Sequence, residues 1–212
     1  MPPSPWKPNS NNKGLVPLRL SRWQLAAAIA LIWLGLDQAS KLWVRTHMVP
    51  GQSMEVLGTY FQIFFIENNG MAFGIEWGGR TGKLVLTLFR LAAVLGLGFY
   101  FRQVMLREQC THAGAAAMAL IWSGACGNIV DSVFYGKLFG YEDFLYGRVV
   151  DMLYFPVYQG FMPSWLPIWG GEYLVFFRPV FNLADTGISV GVGLSMFFYQ
   201  RLFPPSNQPL TS

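Results

Sequence analysis

Two aspartates stand beside stretches of chain apolar enough to cross a bilayer. Asp151 closes the run Gly147-Arg-Val-Val-Asp151, and Asp185 closes Phe181-Asn-Leu-Ala-Asp185. A carboxylate at or in a membrane is costly, so its presence asks for a function. Two carboxylates that share one proton can activate a water against a peptide bond. Hydrolysis of a peptide bond at the membrane is therefore the leading chemistry for such a pair.

Other polar residues recur at helical spacing. Asn182 and Asp185 are three apart, and Asn128 and Asp131 repeat that spacing in Gly127-Asn-Ile-Val-Asp131. Residues three apart share a helix face, so each Asn can orient its Asp or stitch helices together. An Asn and an Asp facing lipid would be expensive, so the face carrying Asn128 and Asp131 should look into a bundle. Asp37 and Lys41, four apart in Asp37-Gln-Ala-Ser-Lys41, can form an ion pair on one face. That pair reads equally as structural or as support for a site. Asn68-Asn-Gly-Met-Ala-Phe-Gly74 reads as a turn. Its glycines permit close backbone approach, and Asn68 could hydrogen-bond a peptide or a catalytic group. Arg148 is a candidate partner for Asp151.

Rival chemistries fit poorly. His47 and His112 fall near opposite membrane faces and cannot share a metal site. Ser40 and Lys41 are adjacent and point to different helix faces. Cys110 and Cys126 lack metal-ligand spacing, and no disulfide is expected. No metal or organic cofactor is expected.

The elements that must position these residues follow from composition. The 212 residues are 53% hydrophobic and 12% charged, with a net charge of +4. Mean hydropathy is +0.35, which fits a polytopic membrane protein better than a soluble domain. No basic run suggests nucleic acid. Four stretches, about 23–44, 84–101, 113–134 and 180–203, approach the length of a transmembrane helix. Residues 1–22 read as a disordered tail, 23–203 as one membrane domain and 204–212 as a second tail. Lys7, Lys13, Arg19 and Arg22 precede the first span without an acid, and Arg102, Arg107 and Arg201 fall on the same side. Both termini are therefore expected in the cytoplasm, with loops 45–83 and 135–179 outside. Residues 54–66 are β-branched and aromatic around Gly58, which predicts one or two strands of a small sheet. Trp165, Trp169, Tyr173, Phe176 and Phe177 make an aromatic outer loop suited to the membrane surface or to covering the site.

Taken together, the runs from Asp37, Asn68, Gly127, Val149-Val-Asp151 and Phe181 resemble lipoprotein signal peptidase, the type II signal peptidase of bacteria. They occur in that family's order over about residues 23–203. The resemblance implies an all-α membrane protein with four transmembrane helices, a small periplasmic β-sheet cradle and a long extracytoplasmic loop. It implies an aspartyl endopeptidase of the inner membrane that needs no cofactor and acts as a monomer. Such an enzyme removes the signal peptide from diacylglyceryl-modified prolipoproteins, cutting before the lipidated cysteine, with acyl chains held among membrane lipids. The inhibitor globomycin would bind the same site. By motif, the dyad falls on Asp151 and Asp185. Asn68, Gly70, Ala72, Asn128, Asp131, Asn182 and Ala184 fall on site-lining or supporting positions, and Asp37 and Lys41 on a supporting pair.

Two departures from the pattern stand out. Ser132 occupies a position where the family commonly has Arg, so Lys137 or Arg148 is expected to pair with Asp131 instead. Segments 135–147 and 157–178 are long. A small proton-coupled transporter or scaffold is the rival reading, because it too would hold buried Asp, Asn and Lys. It predicts charges spread across the membrane depth, whereas the charges here fall toward the outer side.

Overall fold

The computed structural model describes residues 20–69, 79–107, 110–156, 158–176 and 179–205. Three long apolar helices dominate. Helix α1 runs over Arg22–His47 and α2 over Gly79–Leu106. Helix α3 covers His112–Val130 and continues through a π-turn at Asp131–Tyr135 into the short α4, Gly136–Leu138. Each of the three is long and apolar enough to cross a membrane. Ser21 caps α1 reciprocally with Gln24, so the helix begins one residue before the sequence expectation.

The expected fourth span at 180–203 is divided. Val180–Phe181 belong to a strand, helix α5 occupies Leu183–Phe197, and α6 is a separate turn at Tyr199–Leu202. Asn182 caps α5 and so fixes its start after the strand. Phe198 ends it by leaving helical dihedrals, at φ −121° and ψ 23°. Fifteen residues of α-helix extend about 22 Å, short of the ~30 Å apolar core of a bilayer.

The helices pack through small residues. A Cβ on Gly124 would collide with the Ala184 carbonyl, and one on Gly191 would lie 2.6 Å from the Ala117 carbonyl. Such positions let the backbones of α3 and α5 approach closely, the usual basis of helix association in lipid. Ala115, Ala117 and Ala119 on α3 are fully buried, which makes α3 the central helix.

A four-stranded antiparallel sheet caps one end of the bundle. Its strands are β1 (Ser53–Leu57), β2 (Phe61–Asn68), β3 (Val149–Tyr154) and, beyond the hairpin below, β6 (Val180–Phe181), in the order β1-β2-β3-β6. The one or two strands expected over 54–66 are present as β1 and β2. Alternation in β3 sends Val150 and Met152 into a core with Val44, Met48, Phe65 and Tyr135. Asp151 faces the other way. The aromatic outer loop contains an unexpected hairpin, β4 (Tyr158–Phe161) with β5 (Tyr173–Phe176). At its tip Trp165, Ile168 and Trp169 are exposed.

Candidate functional site

The site forms where the sheet meets the bundle. Asp151 lies in the middle of β3, opposite Ile66 of β2, with Asn68 two residues further along that strand. The Asn68 amide accordingly donates to Asp151 Oδ2 at 3.1 Å. Asp185 sits in the first turn of α5, as the third residue after the Asn182 cap. The Asn182 side-chain oxygen accepts from the Asp185 backbone N–H at 2.9 Å. The Asp185 carboxylate returns a contact to the Asn182 backbone N–H at 3.4 Å. This capping box locks the Asp185 rotamer and places its charge at the favourable end of the helix dipole.

Asn182 also holds the second carboxylate. Its Nδ2 donates to Asp151 Oδ1 at 2.7 Å and to Asn128 Oδ1 at 3.1 Å. Asn128 Nδ2 in turn donates to Asp185 Oδ1 at 2.8 Å. Both carboxylates are therefore gripped by amides from two or more elements, and Asp151 makes no ion pair among the described residues. Arg148, a candidate partner for Asp151, does not pair with it. It binds Glu67 at 2.8 Å, which is shared with Arg45. Burial, followed by the neighbouring Asp185 charge, pushes Asp151 up to about 7. Asp151 is buried, whereas Asp185 is half-buried.

Behind this pair lies a sealed ionic cluster. Lys41 Nζ contacts Asp37 at 2.9 Å, Asp131 at 2.8 Å and Asn128 Oδ1 at 3.0 Å, which uses all three of its donors. All three charged side chains are fully buried. The expectation that Lys137 or Arg148 serves Asp131 is corrected here. Lys137 is exposed, Arg148 is committed to Glu67, and Lys41 reaches Asp131 from α1.

The cluster positions both carboxylates. Asp37 Oδ1 accepts the Ala184 N–H at 2.8 Å, one of the amides that a helix start leaves without an intrahelical partner. It thereby holds the first turn of α5, which carries Asp185. Asp131 Oδ2 accepts the Val150 N–H at 3.3 Å, which holds β3 next to Asp151. Asn128 joins the two layers by accepting from Lys41 and donating to Asp185. Gly127 is required beneath them, because any Cβ there would strike the Asp37 carboxylate.

Sequence reasoning placed Asn68, Asn128, Asp131, Asn182, Ala184, Asp37 and Lys41 around the pair, and the structure brings all seven together. Gly70 and Ala72 lie outside the described residues. Gln38 was missed. Its amide donates to Asp131 at 3.0 Å and Asp37 at 3.1 Å, while its oxygen accepts from Tyr135 at 3.1 Å. The available signal was a polar residue beside Asp37 in an otherwise apolar helix.

The fold and site define a multi-pass membrane protein with a polar, amide-lined pair of carboxylates at one end of the bundle. Residues 29–201 match the family described as Signal peptidase (SPase) II, a peptidase family, and the chain belongs to it. It is 45% identical to the lipoprotein signal peptidase of Porphyromonas gingivalis over 86% of each chain. It is 38% identical to that of Amoebophilus asiaticus over 78% of this chain and 73% of the relative. Among solved structures, a bacterial membrane enzyme shares the fold at a TM-score of 0.55 with 24% identity, covering 88% of this chain and 93% of its own. Another has the same TM-score of 0.55 at 25% identity, over 82% and 91%.

Proposed function

We propose that the chain is an aspartyl endopeptidase that removes signal peptides from diacylglyceryl-modified prolipoproteins, cutting before the lipidated cysteine. The lipoprotein signal peptidases to which it is similar support that substrate class. The observation that carries the mechanism is Asn182, whose one side chain touches Asp151 and orders Asp185. Asp151, pushed up to about 7, keeps the shared proton and donates it to the scissile carbonyl. Asp185, less buried and set at a helix N-terminus, takes the proton from the attacking water. On collapse Asp185 passes the proton it took from water to the leaving amine, and Asp151 takes its proton back from the tetrahedral hydroxyl, which restores a singly protonated pair.

Four crossings follow if α5 and α6 together complete the last one, and this puts both termini in the cytoplasm with the sheet outside. The inner membrane is the corresponding location, with acyl chains lying in lipid beside the bundle and the enzyme working as a monomer without a cofactor. Globomycin would occupy the substrate site. Asp37, Lys41, Asp131, Asp151 and Asp185 are linked at the sheet end of the bundle rather than spread along it. That placement favours a peptidase over a proton-coupled transporter. The test is cleavage of a lipidated prolipoprotein by purified Asp151→Asn and Asp185→Asn variants. Near-normal cleavage by either variant would overturn the dyad.

A further inference from the structure

The hairpin of β4 and β5 takes no part in the site described above. It prolongs the ribbon of β3 and β6 in one register. Four residues beyond the Tyr154–Val180 pair, Tyr158 meets Phe176, and the ladder runs on to Phe161 opposite Tyr173. Pro156 and Pro179, which cannot donate to a ladder, separate its two halves. At the root, Phe155 stacks on Phe61 of β2 and Phe181 of β6, with ring centroids 4.6 and 5.8 Å away. The tip is a closely hydrogen-bonded turn. Gly171 donates to the Met162 carbonyl at 3.0 Å, and Gly170 to that of Leu166 at 3.1 Å. Gly171 has a φ of +81°, and a Cβ on Gly170 would lie 2.6 Å from the Leu166 carbonyl oxygen.

This turn points its apolar side chains outward. Trp165 and Ile168 are 78% and 75% exposed, and Phe161, Trp169 and Tyr173 are exposed beside them. Among the described residues, β4 and β5 pack on each other and on no other element to a comparable extent. The tip therefore does not cover the carboxylate pair. Five large apolar side chains gathered on one exposed tip mark a docking surface.

Helix α1 shows what lies beside that tip. Trp23 and Trp43 are exposed near its two ends. They stand twenty residues apart, about 30 Å along a helix, which is the thickness of the apolar core of a bilayer. Tryptophan favours the boundary of that core, so Trp43 marks the membrane surface at the sheet end. Val44, the next residue, packs into the core of the sheet with Val150 and Met152 of β3. The sheet is thus seated at the membrane surface, and the ribbon leaves from its edge strand β6 at that level. The exposed tip is continuous with the lipid-facing surface of the bundle. Glu172 is the one charged residue from Tyr158 to Phe176, so attraction to anionic headgroups has no part in what the tip binds.

We propose that the tip of this hairpin is a membrane anchor whose partner is the bilayer itself, with Trp165, Ile168 and Trp169 seated at the boundary between headgroups and acyl chains beside the bundle. Indole rings suit that place, because the ring meets hydrocarbon while its N–H reaches the headgroups. The anchor gives the β3–β6 ribbon, which carries Asp151 and leads into the Asn182 cap, a hold on the membrane separate from the helices. It goes beyond the peptidase reading and does not depend on it.

Fluorescence quenching on the full chain in vesicles tests this. Ile168→Cys, with Cys110→Ala and Cys126→Ala, is labelled with a nitrobenzoxadiazole fluorophore and reconstituted into phosphatidylcholine. Trp169→Cys in the same background gives a second reading if the first variant folds poorly. A phosphatidylcholine spin-labelled near its headgroup should lower the emission about twofold, while aqueous iodide should barely change it. The same quenching is expected when phosphatidylglycerol is mixed in. Quenching by iodide and not by the spin-labelled lipid would put the tip in water. Protection from both quenchers would put it against protein, over the site or on a second copy. Lipid quenching that appears only with phosphatidylglycerol would make the contact electrostatic. Each of these three results would overturn the proposal.

Discussion

Asp131 and Asp151 are both buried, and their layers touch through Val150, yet they are kept in opposite ways. Asp131 sits with Asp37 around one lysine, every donor of which is used. Asp151 is held, among the described residues, by the side-chain amides of Asn68 and Asn182 and by no ion pair. A cation fixes a carboxylate as a charge, whereas neutral amides leave it able to take up or release a proton. The first cluster therefore suits positioning and the second suits chemistry. Burial alone does not tell them apart.

The largest expected effect tests the chemical side. Asp185→Asn keeps the shape and the cap but cannot take a proton, so kcat/KM should fall about a thousandfold. The melting temperature should stay near its original value, and a fall in both would place Asp185 with the structural cluster instead. On the positioning side, Lys41→Met leaves two buried carboxylates without a cation. Unfolding in detergent should show a loss of about 3–5 kcal/mol. Combining it with Asp37→Asn and Asp131→Asn removes the stranded charges and should recover much of that loss. No recovery would mean that lysine matters for its shape and not for its charge.

Asp151 should behave in the reverse sense. Its pKa in the fold is about 7, raised from an ordinary 3.8. Between those values the folded chain binds more protons than the unfolded one, so stability falls as pH rises. Each pH unit in that window is worth at most roughly 1.4 kcal/mol. Asp151→Asn should flatten that slope and be more stable than the parent at pH 8, by a few kcal/mol at most. Unfolding curves at pH 5 and pH 8 check this. An unchanged slope would show that burial of Asp151 is offset by its amide contacts.

The local features were legible in the sequence. Asp37 with Lys41, and Asn182 with Asp185, are set by helical spacing, so one turn of helix is enough to predict each contact. The partner of Asp131 was not, because Lys41 reaches it across 90 positions of chain and between helices. Proximity in sequence pointed to Lys137 or Arg148, and packing chose otherwise. The π-turn was equally hidden. Its widened backbone lets Leu145 donate to the Val133 carbonyl at 3.0 Å and Gly147 to that of Ser132 at 2.9 Å. These contacts seat the long segment after α3 and aim it into β3, and nothing in the composition of 131–147 announces them. The division of the last span was missed because Val180 and Phe181 are as acceptable in a strand as in a membrane helix.

Ser132 marks where the positioning layer should end. It is fully buried, and its hydroxyl donates to the Asn128 carbonyl at 2.9 Å. That carbonyl also accepts the Asp131 backbone N–H, so it keeps a partner without the hydroxyl. Ser132→Ala removes the donor together with its need for an acceptor, which makes the change nearly neutral, below about 1 kcal/mol. The Asn128 side chain would keep its hold on Lys41 and Asp185, so the pH limbs of kcat/KM should stay in place. A tenfold loss of activity in Ser132→Ala, with stability unchanged, would show that the backbone path of α3 is itself tuned to the dyad. The division between a charged positioning layer and an amide-held reactive pair would then have to include the helix that joins them.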